Sequence, residues 1–477
     1  PMPGRGQDFL AITLTNLGTL RQHTGDLAGA RRLYEQALRI HEKLNGSSHP
    51  SVGATLTGLS GVLRQMGDLD GALRVADRAR TIYETAYGPS HPTIAVLASR
   101  QADLYQHLHQ PENALASASR ALTIRETVYG PTHPLVASTL TDLAGLYASV
   151  NDHGAALKAA LRAREIQERI YGQRHPDVAA TDSQLGHLYW RNGDFIKAAT
   201  YFEEALTVRE TTLGKQHPDV ALALTDLGQF RASRGDLLGA RTLYEQARQI
   251  HLAVGRMNDD LDEVSLRGLR HSGAQALREY AGVLAAISRA SKHEREGSSA
   301  REMGFTVAEQ ARSWIVQAAL AKAVARAGAS GPGVSQLARQ VQDLRQNRQN
   351  LWKALDSAYG KPADQREPGT LEQLQQDLDT TQRSLDLAVV QLNQAFPRYA
   401  ELAAPTPVSL SHIQQALSPQ EVLLSFLTLE DRVLVWVVHP HRPFVFLESP
   451  ITQVKLRSLI ERLKASIPPS NTASSGT

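Results

Sequence analysis

The chain has 477 residues, too many for one hydrophobic core, so at least two structural units are predicted. It carries 51 lysines and arginines against 48 aspartates and glutamates, a near balance that argues against nucleic acid as a direct partner. It contains no cysteine, which excludes disulfides, thiolate zinc sites and a cysteine nucleophile within these residues.

Neither a membrane-spanning segment nor a secretion signal is indicated by the sequence. The longest apolar runs, such as residues 433–438, are far too short to span a bilayer. The N-terminus begins Pro1-Met2-Pro3-Gly4 and lacks a basic stretch followed by an apolar one. A cytoplasmic location without a membrane partner is therefore predicted.

In chain order, the first feature is a repeat with a period of 42 residues. Five His-Pro pairs keep this spacing, from His49-Pro50 to His217-Pro218. Two columns of alanine keep the same register. The first contains Ala30, Ala72, Ala114, Ala156, Ala198 and Ala240, and the second contains Ala37, Ala79, Ala121, Ala163, Ala205 and Ala247. Chance does not preserve both columns, so a repeat array is predicted.

Each repeat is predicted to form two helices. The first begins at the proline of the His-Pro pair, because proline lacks the N–H that would be unpaired at the first helical position. It ends at a Gly-Asp turn such as Gly25-Asp26, where the aspartate caps the second helix by accepting a backbone N–H. The second helix ends at a glycine three residues before the next histidine. The third repeat has His109-Gln110-Pro111 at its turn, so a difference is expected there.

These residues resemble the tetratricopeptide repeats of the kinesin light chain type, in sequence pattern as well as in period. The resemblance covers Phe9 to Val254. It implies six helix pairs over residues 1–256, stacked into an α-α superhelix in which the first helix of each pair lines the concave side. The fold class is therefore predicted to be mostly α.

The five histidines of the His-Pro pairs allow two interpretations, a metal site or a structural role in the loop. Successive repeats lie about 10 Å apart at helix-packing distances, whereas zinc holds its ligands at about 2 Å. Stacked loops cannot share one ion, so the structural role is predicted. No metal site and no cofactor are predicted for the chain.

The predicted concave side carries a column of hydroxyl residues flanked by variable polar ones. Such a surface suits capture of an extended peptide by hydrogen bonds, and concave solenoid surfaces are commonly binding surfaces. The alternative is a solvated groove without a ligand, in which small residues merely ease curvature. The predicted partner-binding residues are Thr15, Thr57, Arg100, Thr141, Asp142, Ser183, Gln184, His187, Trp190, Arg191, Thr225 and Asp226.

The repeat register fails after Gly255, where Asp259-Asp260 stand in place of a His-Pro pair. Residues 257–330 are predicted to form degenerate helices that cap the stack, the second of them from Phe305 to Ala327. Residues 331–400 are predicted to form a long antiparallel helical hairpin, because two helical stretches flank a loop that contains Pro and Gly.

Residues 401–466 change to a β pattern. Two stretches rich in Val, Leu and aromatic residues flank the short Glu430-Asp431 turn, which is typical of a strand hairpin. The Ser- and Pro-rich residues 467–477 are predicted to be disordered. The predicted elements are strands at 421–429, 432–439 and 443–447 and a helix at 451–465. Three strands and one helix make an incomplete sheet.

Several stretches beyond the repeats follow one another in a characteristic order. They are Ala308-Glu309-Gln310-Ala311-Arg312, Phe396-Pro397-Arg398-Tyr399-Ala400, Leu410 to Leu417, Val422-Leu423-Leu424-Ser425-Phe426 and Val433-Leu434-Val435-Trp436-Val437-Val438. This succession, from Phe305 to Leu463, resembles the beginning of a CHAT domain, the caspase-like module found behind tetratricopeptide repeats. The resemblance implies an α/β sheet that continues in a longer native chain, with a His-Cys dyad on its later strands.

No catalytic residue is carried over from that resemblance. The sequence has no cysteine, and His412, His439 and His441 do not occupy the catalytic motif of the CHAT family. His439 and His441 flank Pro440 at a strand end, where a turn role is predicted.

Two functions are compatible with these features. The resemblance implies the regulatory portion of a bacterial CHAT-type cysteine peptidase, whose repeats sense a protein or peptide and relay that event to the peptidase. Related proteins act in bacterial defence, some beside CRISPR effectors and some on pore-forming proteins, so these are the implied partners. The alternative is a non-enzymatic scaffold of the kinesin light chain type, with the terminal sheet as a docking or dimerisation piece.

Overall fold

A computed structural model describes residues 5–255, 263–327, 332–395 and 409–466. These residues form eighteen α-helices and one three-stranded sheet, which confirms the predicted fold class of mostly α structure with helix pairs ahead of a small sheet. The chain divides into two compact units. Unit 1 contains Pro1–Lys215, Leu261–Ser265 and Leu351–Asp377, and unit 2 contains Gln216–Asp260, Leu266–Asn350 and Leu378–Thr477.

Unit 1 begins with five helix pairs, in which each helix packs against its neighbours in the chain. Their bounds are α1 Arg5–His23, α2 Leu27–Asn45, α3 Pro50–Met66, α4 Leu69–Tyr87, α5 Pro92–His107, α6 Pro111–Tyr129, α7 Pro134–Ser149, α8 His153–Tyr171, α9 Pro176–Arg191 and α10 Phe195–Leu213. Both alanine columns are fully buried in these pairs. Small side chains at these positions let the helices approach closely, as predicted.

The helix starts follow the predicted signals. Pro50 lies in the first turn of α3, and the imidazole of His49 accepts a hydrogen bond from the backbone N–H of Ser51. All five histidines of the His-Pro pairs cap their helices in this way. Asp26 caps α2 by accepting from the N–H of Gly29 at 2.8 Å. The structural role predicted for the histidines is confirmed, and it is an N-cap.

The turn between paired helices keeps its left-handed residue in the third repeat, although the sequence departs from Gly-Asp. His109 occupies the position with φ of 57°, where Gly67 in the second repeat has φ of 84°. Gln110 stands in the place of the capping aspartate and makes no side-chain cap. The third repeat therefore retains the backbone of the turn and loses the cap.

The long hairpin consists of α15 (Pro332–Tyr359) and α16 (Thr370–Ala395), with a short 3₁₀ helix at Ala363–Gln365 between them. Its tip, residues 351–377, belongs to unit 1. There Arg366 donates a hydrogen bond to the carbonyl of Tyr171 at 3.1 Å. The tip therefore contacts the loop that follows α8.

Unit 2 contains the sixth helix pair, the remaining helices and the sheet. Their bounds are α11 Pro218–Ser233, α12 Leu237–Gly255, α13 Glu263–Ala290, α14 Glu294–Ala327, α17 Leu410–Ala416, β1 Leu423–Thr428, β2 Val433–Val438, β3 Val445–Ser449 and α18 Gln453–Ser466. The prediction that the second helix after the repeats begins at Phe305 is wrong, because α14 begins at Glu294. Glu294 and Glu296 lie in its first turn, where acidic residues favour a helix start.

The sheet has the order β1-β2-β3 and is antiparallel throughout, so the three predicted strands are confirmed. One face is buried, with Leu434, Trp436 and Val438 all fully inaccessible. The indole N–H of Trp436 donates to the carbonyl of Arg301 in α14 at 3.0 Å. Phe305 packs edge-on against the same indole ring, so α14 and β2 share one core.

Two predicted features lie outside the described residues. They are the stretch Phe396-Pro397-Arg398-Tyr399-Ala400 and the tail at 467–477.

Candidate partner-binding groove

A cavity of about 600 Å³ extends along the first helices of repeats one, two and three in unit 1. It is lined by Thr19, Gln22, His23, Tyr34, Thr57, Gly58, Ser60, Gly61, Arg64, Gln65, Ser99, Arg100, Asp103 and Leu104. Most of these side chains belong to α1, α3 and α5, the helices predicted to form the binding side. We refer to this cavity as the repeat groove.

The floor of the repeat groove is made of small residues of α3. These residues are nearly consecutive, and none of their side chains projects far from the helix. They are Thr57, Gly58, Ser60 and Gly61. A Cβ atom at Gly58 would overlap the ring of Tyr34, so only glycine fits against this tyrosine. The small residues of α3 therefore make room for the ring of Tyr34, which itself lines the cavity.

The walls of the groove carry polar groups that are not all satisfied internally. Arg64 pairs with Asp103 at 3.4 Å, whereas Arg100 is exposed and forms no ion pair with a described residue. The hydroxyl of Ser99 and the side-chain oxygen of Gln65 are buried without a hydrogen-bond partner among the described residues. Buried polar atoms normally have partners, so these two atoms are exceptions to the usual pattern.

Thr57 and Arg100 are the predicted site residues that line the repeat groove. The predicted threonine column makes an unanticipated contact. Thr15, Thr57, Thr141 and Thr225 each donate their hydroxyl to the backbone carbonyl four residues earlier in the same helix. Their hydroxyl protons are therefore already bound, which leaves these oxygens only as hydrogen-bond acceptors.

The predicted residues of α7 and α9 lie beyond the repeat groove. Gln184 donates to the carbonyl of Thr141 at 3.1 Å, so its amide bridges two repeats. His187 stacks on Trp190 at 6.1 Å between ring centroids, and Arg191 is exposed. His187 and Trp190 thus form an aromatic pair on α9.

The three remaining predicted residues are spread over three helices. Asp142 is exposed on α7, and the side chain of Ser183 on α9 is buried without a hydrogen-bond partner among the described residues. Asp226 is half-buried on α11 in unit 2, where its charge helps to raise the pKa of Glu279 after the larger effect of burial.

Sequence reasoning missed part of the groove wall. Gln22, Tyr34 and Arg64 are absent from the predicted set, although all three line the cavity. Tyr34 belongs to the second helix of its repeat, and its hydroxyl lies 2.8 Å from that of Thr19. The glycines at positions 18 and 58 were the available signal, because both pack against the Tyr34 ring.

Other kinds of site have no support in the described ranges. No cluster of three or more metal-ligating side chains occurs among the described residues. No described helix is long and apolar enough to cross a bilayer.

Comparison with known proteins identifies the repeats. The tetratricopeptide repeat model matches residues 9–85, 93–169 and 177–253. None of the curated proteins compared with the chain matches it.

Among solved structures, BtubC (BKLC) from P. vanneervenii is 26% identical, with 43% of this chain and 82% of that chain covered and a TM-score of 0.40. A kinesin light chain-like protein of Podosopora anserina is 22% identical over 43% of this chain and 97% of its own, with a TM-score of 0.40. YrrB, described as a tetratricopeptide protein with an unusual peptide-binding site, is 17% identical over 42% of this chain and 86% of its own, with a TM-score of 0.31.

These TM-scores are low, so the assignment depends on the family model and on the helix pairs. The chain contains tetratricopeptide repeats, a scaffold for protein–protein interaction.

Proposed function

We propose that the chain is a cytoplasmic partner-recognition module whose repeat groove binds an extended segment of a protein. The observation that carries this proposal is a cavity lined mostly by polar and small residues, in which Arg100 is exposed and forms no ion pair with a described residue. An extended backbone offers a donor and an acceptor at every residue, which suits such a surface. The predicted residues of α7 and α9 extend this site in the proposal.

Selection of binders from a random-peptide library against the full chain tests the proposal. Arg100→Ala is expected to weaken a selected peptide at least about tenfold, because an exposed charge-assisted hydrogen bond is lost. Arg174→Ala removes an exposed arginine outside the groove and serves as the matched control. Unchanged affinity in Arg100→Ala, and in the triple replacement of Arg100, Trp190 and Arg191 by alanine, would contradict the groove as the binding site.

We propose further that the residues after the repeats begin a CHAT-type caspase-like domain. Two of the stretches that carry this resemblance are in contact. Arg312 of α14 donates a hydrogen bond to the hydroxyl of Ser425 in β1, and that hydroxyl donates to the carboxylate of Glu309. The second sheet face is apolar and open, with Leu424 61% and Phe426 57% exposed. An exposed apolar sheet face normally packs against further structure.

The edge of β1 supports continuation of the sheet, and a second cavity lies beside the end of this strand. It measures about 470 Å³ and is lined by five consecutive residues, Phe426 to Glu430, together with residues of α13 such as Glu279. Phe426 to Thr428 end β1, and Leu429 and Glu430 lie in the turn to β2, so the cavity lies at this end of the strand beside α13. Among the described residues β1 pairs only with β2, which leaves the other edge of β1 open for another strand.

In this proposal the repeats bind a partner and relay the event to a cysteine peptidase in a bacterial defence setting, with a CRISPR effector or a pore-forming protein as partner. The intact mass of the natively expressed protein tests it. A mass well above 52.0 kDa, with added His and Cys and cleavage of a peptide substrate, is the expected result. A mass of 52.0 kDa would instead favour the non-enzymatic scaffold of kinesin light chain type, or an enzyme split over two chains.

A further inference from the structure

Three loops between repeats in unit 1 share a sequence pattern and several structural features. Each has the sequence Tyr-Gly-X-X-His-Pro, beginning at Tyr87, Tyr129 and Tyr171. The glycines have φ of 88°, 86° and 87°, and the tyrosine ring lies 4.7, 4.6 and 4.3 Å from the histidine ring four residues later. We refer to these as the Tyr-His loops.

The helix cap fixes the tautomer of each histidine. In all three loops Nδ1 accepts a hydrogen bond from the backbone N–H two residues later, at 3.3, 3.2 and 3.0 Å. A neutral imidazole that accepts at Nδ1 carries its proton on Nε2. Each Tyr-His loop therefore presents an N–H donor beside the free carbonyl at the end of a helix, where the helix dipole is negative.

One Tyr-His loop is occupied by the hairpin tip of the same unit. Nε2 of His175 donates to the carbonyl of Tyr359 at 2.7 Å. Arg366 donates to the carbonyl of Tyr171 at 3.1 Å and to that of Tyr359 at 3.3 Å. His175 is consequently only 2% exposed. The occupant thus supplies a carbonyl for the histidine and a guanidinium for the helix end.

In the other two Tyr-His loops the hairpin tip does not contact the corresponding groups, and in the second loop Arg162 of α8 donates to the carbonyl of Pro131 at 3.3 Å. Nε2 of His91 and of His133 has no hydrogen-bond partner among the described residues, and the same is true of the carbonyls of Tyr87 and Tyr129. Tyr87 is 48% exposed and Tyr129 is 40% exposed. Exposed tyrosines held rigidly in place are common anchors of protein interfaces.

We propose that the Tyr-His loops at Tyr87–His91 and Tyr129–His133 are a docking surface for a partner protein loop that presents an arginine beside a backbone carbonyl. The chemistry of that loop is defined by the occupied copy, because the three loops share the left-handed glycine, the contact between the tyrosine and histidine rings and the histidine tautomer. They differ in φ of the capping histidine, which is −128° at His175, −69° at His91 and −77° at His133. This surface is separate from the repeat groove, since none of these four residues lines the groove.

The hairpin tip itself provides the probe. A labelled, cyclised peptide of residues 358–368, which contains Tyr359 and Arg366, is titrated against the full chain and followed by fluorescence anisotropy. Saturable binding is expected, and the double variant His91→Asn and His133→Asn is expected to bind at least about tenfold more weakly. Asparagine is a good helix cap, so the variant keeps the helix starts while it removes the Nε2 donor.

Matched controls separate this surface from other sites. His49→Asn should leave binding unchanged, because residue 45 in that loop is asparagine and no tyrosine stacks on His49. Arg100→Ala in the repeat groove should also have no effect, so failure here is distinguishable from failure of the groove. A peptide with alanine in place of Arg366 should not bind.

Three results would overturn the proposal. They are no saturable binding up to about 1 mM, equal affinity in the double variant, and loss of binding confined to His175→Asn. The last result would place the peptide on the loop that the hairpin tip already occupies. Circular dichroism of each variant confirms that the helices are intact.

Discussion

The two helices of a repeat pack against each other through one of two kinds of residue pair. In repeats one, five and six an aromatic residue of the second helix packs on a glycine of the first, whereas repeats two, three and four pack two small residues at the same positions. The aromatic pairs are Tyr34–Gly18, Phe202–Gly186 and Tyr244–Gly228, and the small pairs are Ala76–Ser60, Ala118–Ala102 and Ala160–Ala144. All twelve positions keep the 42-residue register.

The difference shows that the size of one residue in the pair limits the size of the other. A Cβ atom at Gly186 would lie 2.8 Å from the Phe202 ring, closer than real Cβ contacts, so an aromatic residue at this position requires glycine opposite. Where the second helix carries alanine, the first helix can carry alanine or serine. Close packing in protein interiors makes such pairs interdependent.

Removing the aromatic side of a pair is expected to have the largest effect. Phe202 is 1% exposed and also contacts the rings of His187 and Trp190. Phe202→Ala leaves a cavity against Gly186 and is expected to lower the free energy of unfolding by about 3–5 kcal/mol. Chemical denaturation measures this loss. Ile196→Ala, at a side chain 83% exposed, should stay within about 0.5 kcal/mol, and an equal loss in both variants would contradict the pairing.

Buried histidines distinguish the first and last repeats from the fourth. One column carries His41 in repeat one and His251 in repeat six, where repeat four carries Gln167. Burial lowers the pKa of His251 to about 4, below an unfolded value near 6.5. Above about pH 6.5 both states are neutral, so stability is unaffected. As pH falls from about 6.5 to about 4, the unfolded state takes up a proton and stability drops, by about 3 kcal/mol.

Exchanging the residues of that column tests the pH effect. His251→Gln places the residue of repeat four in repeat six, and the difference in unfolding free energy between variant and wild type should change only between about pH 4 and 6.5. Taking the difference cancels the contributions of titrating groups that are the same in both proteins. One such group is Asp182, whose pKa burial raises to about 6, so that it stabilises the fold as pH falls. A difference independent of pH would contradict the effect assigned to His251.

Adding a methyl group to the glycine side of a pair should have an intermediate effect. Gly186→Ala is expected to lower the free energy of unfolding by about 1–3 kcal/mol through overpacking against Phe202. In the Phe202→Ala background, Gly186→Ala recreates the pair of small residues found in repeat four. It should therefore be neutral or stabilising in that background. A double-mutant cycle measures this coupling. Gly145→Ala is the control, because its Cβ would meet only an ordinary contact at 3.6 Å.

The sequence predicts what is periodic and misses what is not. The alanine columns, the His-Pro helix starts and the aspartate caps recur in register, so their local roles were predicted and are confirmed. The contact between His175 and Tyr359 joins residues 184 positions apart and occurs at one repeat only. The repeat pattern in the sequence therefore does not predict it. The groove was only partly predicted, because Tyr34 enters it from a second helix and because the threonine hydroxyls bond within their own helices.

The smallest expected effect concerns the one repeat whose second helix lacks a side-chain cap. Gln110 makes no cap bond, although its neighbour His109 keeps the left-handed turn with φ of 57°. Gln110→Asp should allow its carboxylate to accept the N–H of Asn113, as Asp68 does with Gly71 at 2.9 Å. The expected gain is about 1 kcal/mol, measured by thermal unfolding and by slower amide exchange in the first turn of α6.

The reverse change in the second repeat completes the comparison. Asp68→Gln should lose about the same free energy, because it gives the second repeat the cap residue of the third. The two changes together separate the contribution of the cap from that of the turn, because φ is positive at both Gly67 and His109. A loss in Asp68→Gln without a gain in Gln110→Asp would show that the backbone at Gln110, with φ of −113° against −82° at Asp68, holds the new carboxylate away from the helix N–H groups.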